Sequence, residues 1–344
     1  MKTKIYLLAL LLLSCAQITF AEDVARVVCY NLENLFDCEK DSVKDDGSFT
    51  PEGDHQWTEG KYWRKLNNLS RAITAAGEWH TPILIGLCEV ENAKVVQHLL
   101  YRTQLKECHY QFIHQDSPDR RGVDVTLAYL PSKFLLLSQE FISVNIENDK
   151  PTRDILYASG ILPNEDTLHV FVNHWPSRYG GELESKGKRI TAAETLRTKV
   201  DSLFSSNEKS KIIIMGDFND YPDDESITHG LCAEDPMEIK KKSVIFEQLY
   251  NLCYPIHEKG VEGSHKFGGK WGMLDQLIVS GALLDTSETT HTSPEFVNVC
   301  KESFLLKESA TGKIPKRSFL GTFFSYGYSD HLPVFVDLII RYEE

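Results

Sequence analysis

The stretch Ile212-Ile213-Ile214-Met215-Gly216-Asp217-Phe218-Asn219-Asp220 decides the fold. Its apolar run shows no alternation, which indicates a strand covered on both faces of a sheet. Short polar side chains follow the glycine, at the strand end where open α/β sheets place their active sites. Asp217 and Asn219 are two residues apart, so on an extended chain both side chains point to one side. Such a pair suits a phosphate ester, although an ordinary Asn/Asp turn is the alternative.

Residues 1–21 have the features of a secretory signal. Lys2 and Lys4 precede a short apolar run, and small residues lead to an exit at Ala21. The run is too short to span a membrane. The alternative is a lipoprotein signal that ends before Cys15, which would then carry a lipid anchor. Both interpretations predict export to the periplasm or the exterior, and no transmembrane segment in the mature chain.

The charge balance is acidic. The 344-residue chain has a formal net charge of −13, and loss of Lys2 and Lys4 leaves 50 acidic and 35 basic residues, or −15. Proteins that depend on phosphate neutralisation usually carry a basic face. Here only Arg120-Arg121 and the segment 186–189 are locally basic. An acidic catalyst that holds a divalent cation can still act on an anionic substrate, because the ion reverses the local charge.

No repeat, linker or compositional break divides residues 22–344, which we expect to form a single domain. Strands are predicted at 24–30, 82–88, 124–130, 133–141, 154–162, 167–174, 212–215, 274–280 and 332–340, and helices at 58–78, 93–105, 183–204 and near Phe246. The segments 125–129 and 134–141 resemble a hairpin, which implies antiparallel pairing. This order favours two packed mixed sheets with helices outside over one doubly wound sheet.

Two further features concern the loops and the cysteines. The long acidic loop from Asp37 to Gln56 is predicted to be a mobile edge or a substrate-facing flap.

Seven cysteines remain after removal of the signal, and an odd number leaves at least one free thiol. Cys29 and Cys88 lie in apolar segments and are expected in the core. A dense disulfide framework is not expected.

Polar side chains of similar chemistry stand at the ends of several other predicted strands. They are Asn31, Glu89, His174, Asp275 and the pair Asp330-His331. No Gly-x-Ser-x-Gly motif and no Walker-type glycine loop is present in the sequence. Metal-assisted attack by water fits this inventory. A charge such as Glu89 beside an apolar strand is costly unless it is paired or metal-bound, and its oxygens suit Mg²⁺ or Mn²⁺.

Each of these residues also has an ordinary interpretation. Asn31 could begin a turn, and His174 could be a structural histidine at a strand end. Asp275 could be a strand-end cap, and Asp330-His331 could belong to a plain loop. These alternatives are independent of one another, whereas the functional interpretation explains all of the residues together.

In this order the residues resemble the endonuclease/exonuclease/phosphatase superfamily, which includes DNase I-like nucleases, neutral sphingomyelinases and inositol-polyphosphate 5-phosphatases. The motifs Gly216-Asp217-Phe218-Asn219 and Ser329-Asp330-His331, at opposite ends of one domain, are the most specific. The segments 31–37 and 173–178 resemble the exported bacterial branch. The resemblance covers about residues 24–338 and implies a four-layer α/β sandwich with two mixed β-sheets flanked by helices.

The resemblance also implies roles for the matched residues. Glu89 and Asn31 would hold the divalent metal, with Asp330 as a further contact. The residues expected to act on water and phosphate are His174, Asp217, Asn219, Asp275 and His331. Arg121, Asn173 and Arg178 are expected to bind the substrate. One departure is Gln276, where many members carry a basic or aromatic residue after the aspartate.

The predicted function is therefore that of an exported, monomeric, Mg²⁺- or Mn²⁺-dependent phosphodiesterase, with an endonuclease acting on nucleic acid as the first choice. A sphingomyelinase-like enzyme acting on a phospholipid, or one acting on a small phosphate ester, is the first alternative. A lipid-anchored binding protein with an inactive site is the second. That alternative predicts erosion of the polar set, and no such erosion is visible in the sequence.

Overall fold

The computed structural model describes residues 22–342 except 148, 242 and 243. The predicted signal and Cys15 therefore lie outside the described residues, and both stay predictions. Within the described residues, no helix combines the length and the apolar composition needed to cross a membrane.

The strands and helices alternate irregularly along the chain. The strands are β1 (Glu22–Leu35), β2 (Leu84–Val90), β3 (Gln111–His114), β4 (Asp124–Tyr129), β5 (Leu135–Ile142), β6 (Ile155–Ile161), β7 (Thr167–His174), β8 (Lys211–Asp217), β9 (Ala233–Glu234), β10 (Leu249–Asn251), β11 (His265–Phe267), β12 (Lys270–Gly272), β13 (Asp275–Ser280), β14 (Thr290–His291), β15 (Val297–Val299), β16 (Leu306–Lys307), β17 (Ile314–Pro315), β18 (Phe319–Leu320), β19 (Phe323–Phe324) and β20 (Val334–Arg341). The α-helices are α1 (Glu59–Gly77), α2 (Ala93–Tyr101), α3 (Glu182–Ser206) and α4 (Tyr254–Lys259). Short 3₁₀ or π turns occupy Gly47–Phe49, Gln104–Cys108, Ser226–Gly230, Pro236–Lys241, Gly281–Leu284, Pro294–Phe296 and Ser303–Leu305.

Two seven-stranded sheets form the centre of the fold. The first has the order β14-β20-β1-β2-β4-β3, with β15 also paired to β20, and the second has the order β5-β6-β7-β8-β13-β10-β9. Both are mixed, because β1 pairs with β2 and β7 pairs with β8 in parallel while most other neighbours are antiparallel. The predicted pair of packed mixed sheets is confirmed.

The inner faces of the two sheets share one apolar core. Gly86 on β2 faces Met215 on β8 so closely that an added Cβ would lie 2.5 Å from the Met215 sulfur. A side chain at this position would push the sheets apart, which explains the glycine inside an otherwise apolar strand. Residues two positions away on the same faces, including Cys88 on β2 and Ile213 on β8, are fully buried.

The helices cover the outer faces, as predicted. The spacing of Tyr62, Leu66, Leu69 and Ile73 places these side chains on one face of α1, and all four are buried in the core around the first sheet. On the other side, α3 packs against the outer face of the second sheet. Apolar burial of this kind contributes about 25 cal/mol per Å² of apolar surface, so the two helix layers stabilise both sheets.

Two local predictions are wrong. The hairpin of 125–129 with 134–141 does not form, because β4 pairs with β2 and β3 in the first sheet while β5 pairs with β6 in the second. Strand β4 is buried along its whole length, whereas β5 is a largely exposed edge strand, so the chain crosses between layers there. Phe246 lies in a turn, and not in a helix, because the next residues enter β10 and pair with β9 and β13.

The cysteine predictions are confirmed for the described residues. Cys29 and Cys88 are fully buried in the core. All seven cysteines of the described chain are free thiols, so no disulfide framework supports this fold. Its stability therefore rests on the apolar core and on hydrogen bonding.

Asp124, at the start of β4, is a buried carboxylate that makes stability depend on pH. Its Oδ1 accepts a hydrogen bond from the backbone N–H of Ser117 at 2.9 Å, and burial raises the pKa of Asp124 to about 7. An unfolded aspartate titrates near 3.9, so the folded protein holds the proton longer than the unfolded chain does. The free energy of unfolding therefore falls as the pH rises from about 4 to about 7.

Asp124→Asn is expected to reduce this pH dependence, because asparagine keeps the acceptor and carries no charge. The variant should gain stability over the wild type between pH 4.5 and pH 8 by an amount on the order of 2 kcal/mol. Urea denaturation of both proteins at the two pH values measures the difference. An equal stability difference at pH 4.5 and pH 8 would contradict this account.

Candidate active site

The two sheets bring their polar strand ends to the same edge of the sandwich. In the second sheet, the register aligns His174 on β7 with Asp217 on β8, and Asp217 with Asp275 on β13. In the first sheet, Asn31 on β1 is aligned with Cys88, the residue before Glu89. His331 lies just before β20, the other neighbour of β1. The structure thus brings the predicted catalytic residues together.

Glu89 reaches the site because of a β-bulge. The pairing of β2 with β4 shifts between Cys88 and Val90, and Glu89 has a left-handed backbone with φ of 61°. A bulge bends the strand and redirects a side chain from the face that alternation would give it. Its Oε2 accepts a hydrogen bond from the backbone N–H of Asn34 at 2.7 Å. The ends of β1 and β2 therefore hold each other in position.

Gly216 and Asn219 shape the turn after β8. Gly216 has φ of 148°, and a Cβ there would lie 2.0 Å from the carbonyl oxygen of Asn173, so the close approach of β7 requires glycine. Asn219 has φ of 52° and donates from Nδ2 to the carbonyl oxygen of Trp175 at 3.0 Å. The prediction that an extended chain aligns Asp217 with Asn219 is wrong, because the chain turns between them.

Asp217 is the centre of the site. Its Oδ2 accepts a hydrogen bond from Asn31 Nδ2 at 2.9 Å, and its Oδ1 accepts one from the backbone N–H of Asn219 at 3.0 Å. The same Oδ2 lies 3.8 Å from His174 Nε2 and 3.9 Å from His331 Nε2. Burial raises the pKa of Asp217 to about 6, although His331 opposes the shift. This carboxylate is therefore suited to exchange a proton near neutral pH.

The two histidines differ in charge. His331 Nδ1 lies 2.6 Å from Asp275 Oδ2. Burial alone would lower the pKa of His331, but Asp275 and Asp217 outweigh it and hold that pKa well above its usual value. The pKa of His174 is well below its usual range, because the ring is buried and cationic groups surround it. The site thus contains one imidazolium and one neutral imidazole.

The oxygen ligands at this edge fit a divalent metal. Glu89 Oε1 lies 3.7 Å from Arg121 Nη2 and 4.0 Å from His174 Nε2, which is beyond hydrogen-bond distance in both cases. This carboxylate oxygen therefore faces the site with free lone pairs, and the Asn31 amide lies at the adjoining strand end. Carboxylate and amide oxygens are the ligands that Mg²⁺ and Mn²⁺ prefer.

Three groups of side chains in the described chain have ligand atoms close enough to share one ion. They are Asp217 with Asp275 and His331, His265 with Asp330 and His331, and His114 with Asp116 and Asp124. The first two lie at this edge and share His331. Asp330 belongs to the second of these groups, and its Oδ2 also accepts a hydrogen bond from Arg317 at 3.0 Å.

The predicted substrate residues differ in how accessible they are. Arg121 is half exposed and donates to Asn34 Oδ1 at 2.8 Å, beside Glu89. Asn173 is fully buried. Its Nδ2 donates a hydrogen bond to the Met215 carbonyl oxygen, and its Oδ1 accepts one from the Trp175 indole N–H.

Arg178 is engaged within the protein. It donates to the carbonyl oxygen of Asn219 at 2.8 Å and to the carboxylates of Asp220 and Asp224. Gln276, the residue that departs from the family pattern, is also buried, and it donates to the carbonyl oxygen of Asp220 at 2.6 Å.

Sequence reasoning did not identify His265 and Arg153. The ring of His265 lies 4.8 Å from the ring of His331, and burial lowers the pKa of His265 to about 4. Arg153 is buried and donates to the carbonyl oxygens of His174 and Trp175 at 3.1 and 2.7 Å. His265 opens a strand of only three residues, and Arg153 precedes β6 but is not a carboxylate, amide or histidine, so the pattern that found the others did not select them.

Two packed mixed sheets with an acid, amide and histidine site at one edge define an α/β sandwich hydrolase of the DNase I-like class. The chain belongs to the Endonuclease/Exonuclease/phosphatase family, whose model matches residues 26–340. This superfamily hydrolyses phosphoric esters and its enzymes use divalent metals. The comparison with curated protein sequences gives no match.

Solved structures of low sequence identity share the fold. A Bacteroides thetaiotaomicron mannosyl-6-phosphatase has a TM-score of 0.55 at 16% identity, over 91% of this chain and 99% of that one. D. rerio TDP2 complexed with single strand DNA product has a TM-score of 0.54 at 13% identity, over 92% and 98%. The human Nocturnin catalytic domain with bound sulfate has a TM-score of 0.52 at 17% identity, over 92% and 97%. These similarities establish the fold alone.

Proposed function

We propose that the protein is a divalent-metal-dependent phosphodiesterase that cleaves nucleic acid by direct attack of water on phosphorus. The observation that carries the proposal is the position of Asp217 Oδ2 between His174 and His331, at 3.8 and 3.9 Å. The unshared carboxylate oxygen of Glu89 faces the same space. One acceptor, one cationic donor and one neutral imidazole thus surround a single point.

Each residue then has one task in our proposal. Asp217 takes a proton from the attacking water as the new P–O bond forms. His331, held by Asp275, is the cationic donor that protonates the leaving oxygen as the old P–O bond breaks. His174 donates a hydrogen bond to a phosphate oxygen, and its neutral state avoids a second buried cation. Glu89 and Asn31 would hold the metal, which supplies charge stabilisation and polarises the phosphate.

The remaining predicted residues support the site in this proposal. Asn219 stabilises the turn after β8 by its hydrogen bond to the Trp175 carbonyl oxygen. Arg178 stabilises the same turn by its hydrogen bond to the Asp220 carboxylate. Asn173 joins β7 to β8 inside the core. Asp330 orients the loop of His331 through Arg317, or contributes to a metal at His265. Arg121 is the exposed cation that meets the substrate.

Parallel substrate assays test the proposal. Purified residues 22–344 are incubated with Mg²⁺, Mn²⁺ or Ca²⁺ and with DNA, RNA, sphingomyelin, bis-p-nitrophenyl phosphate or a sugar monophosphate. We expect Mg²⁺ or Mn²⁺ to support cleavage of nucleic acid and of the aryl diester, and a chelator to abolish both. Turnover of sphingomyelin or of the monoester alone would replace the nuclease with one of those activities. Turnover that survives chelation would overturn the metal requirement.

Export is the part of the proposal supported only by residues 1–21. Cleavage after Ala21 and lipidation at Cys15 give different masses for the processed protein. Mass spectrometry of the protein purified from its native cells would distinguish them, and a chain that retains Met1 and Lys2 would contradict both.

A further inference from the structure

A cleft of about 740 Å³ opens beside the active site. Its walls come from the loop ends around 43–45, 119–121, 149–153 and 176–179, with one residue from α3. The basic side chains lining it are Lys44, Arg120, Arg121, Lys150, Arg153 and Lys188, against three aspartates. The surplus of positive charge contrasts with the net charge of −13 for the whole chain. An anion would therefore be drawn to this face of the protein.

Some of these cations already have partners inside the protein. Arg153 pairs with Asp119 at 2.9 Å, and Lys188 pairs with Asp149. Lys44 donates to the carbonyl oxygens of Ser117 and Asp119. These contacts build the walls of the cleft and leave little charge free for a ligand.

Arg120 and Lys150 differ from the others. Both are exposed, and among the described residues neither side chain forms an ion pair or a hydrogen bond. The paired cations hold the walls of the cleft in place, while Arg120 and Lys150 remain available to neutralise the negative charge of a bound ligand.

The cleft borders the catalytic centre through Arg121 and Arg153. Arg121 lies at the boundary, where its Nη2 is 3.7 Å from Glu89 Oε1 and 2.8 Å from Asn34 Oδ1. Arg153, in the cleft wall, donates to the carbonyl oxygen of His174 at 3.1 Å. A chain with its scissile phosphate at His174 would therefore have the cleft beside it, on the side of Arg121.

An aromatic side chain stands at the mouth of the cleft. Tyr179 is 95% exposed and precedes Gly180, whose φ is 87°. A fully exposed aromatic ring beside a basic groove matches the way in which proteins bind single-stranded nucleic acids, since every base can stack on a ring.

We propose that this cleft binds the single-stranded nucleic acid adjoining the scissile phosphodiester. Arg120 and Lys150 would contact a flanking phosphate, and Tyr179 would stack on a base. The inference rests on the proposed function and specifies its substrate. A duplex is disfavoured, because it presents both phosphate strands to the protein and needs a broad basic face, while the cleft has the size of a small-ligand site.

Binding without turnover tests the inference separately from catalysis. Fluorescence anisotropy is measured with a fluorescein-labelled eight-nucleotide single strand of thymidines in excess EDTA, so that metal-dependent hydrolysis cannot occur. We expect the double variant Arg120→Gln/Lys150→Gln to bind about 10-fold more weakly and to show a shallower salt dependence. Tyr179→Ala should weaken binding by at least about 5-fold.

The matched control removes two lysines at the opposite edge of the sandwich. Lys106→Gln/Lys133→Gln lowers the net charge by the same amount and should change affinity by less than about 2-fold. All four positions are exposed, and circular dichroism of each variant verifies its folding.

Four outcomes decide the inference. Selective loss of affinity in the cleft variants supports it, whether or not the protein later proves to hydrolyse phosphodiesters. Wild-type affinity in the cleft variants, equal loss in the control, or tighter binding of a matched duplex would each overturn it. Failure of the substrate assays together with retained binding would remove the proposed function and leave the cleft as a binding site.

Discussion

Replacement of His331 by alanine is expected to lower phosphodiester hydrolysis by about 10²–10⁴-fold. His331 Nδ1 lies 2.6 Å from Asp275 Oδ2, and Asp275 with Asp217 keeps the imidazole protonated. In the proposed reaction this imidazolium protonates the leaving oxygen, and no other histidine in the site is charged. Steady-state hydrolysis of bis-p-nitrophenyl phosphate with Mn²⁺ measures the loss.

Asp275→Asn leaves the His331 ring in place and weakens the stabilisation of its positive charge. The amide keeps the size of the partner and removes the first of the three carboxylates that raise the pKa of His331, so the active range of the enzyme should shift toward lower pH on its alkaline side. His80→Ala, at an exposed position away from the site, is the matched control. His331→Gln is a second variant for the case in which His331→Ala does not fold, because glutamine retains a polar side chain beside buried Asp275. Activity within about 3-fold of wild type in both folded His331 variants would contradict the proposed role.

Glu89→Gln is expected to weaken Mn²⁺ binding by at least about 10-fold and to reduce hydrolysis by at least about 100-fold. Glutamine keeps the acceptor for the Asn34 N–H, so the bulge is preserved, while the charge facing the site is removed. Isothermal titration calorimetry gives the metal affinity, and the aryl phosphodiester assay gives the rate.

The control for Glu89 is Glu107→Gln, an exposed carboxylate at the far edge of the sandwich. It should alter neither metal affinity nor rate by more than about 2-fold. Equal metal affinity in wild type and Glu89→Gln would remove Glu89 from the metal site. Weakened metal binding with an unchanged rate would show that this metal is not required for the chemistry.

The layered architecture could be predicted because both sheets depend on short apolar runs with clear ends. Strand β8 is an example, since its isoleucines are buried on both faces as the lack of alternation implied. The partners of each strand could not be predicted. Strands β4 and β5 are neighbours in sequence but belong to different sheets, because burial on two faces placed β4 inside the first sheet.

The site residues were predictable to the extent that they terminate strands. Glu89 was indicated by the cost of a charge beside an apolar strand, yet the bulge that aims it depends on the register of β2 with β4. His265 and Arg153 were not found in this way, because His265 adjoins no long apolar strand and the position of Arg153 before β6 gives no sign of its contact with His174. The turn at Asn219 likewise depends on its contact with Trp175.

The most direct test of the central claim is hydrolysis of bis-p-nitrophenyl phosphate by the wild type and by Glu89→Gln, with Mn²⁺ and after chelation. We expect rapid release of p-nitrophenol by the wild type with the ion, loss of that activity on chelation, and recovery when Mn²⁺ is restored. We expect little release by Glu89→Gln under any condition. Chelator-resistant release by the wild type, or wild-type rates in Glu89→Gln, would contradict a metal-dependent phosphodiesterase at this site.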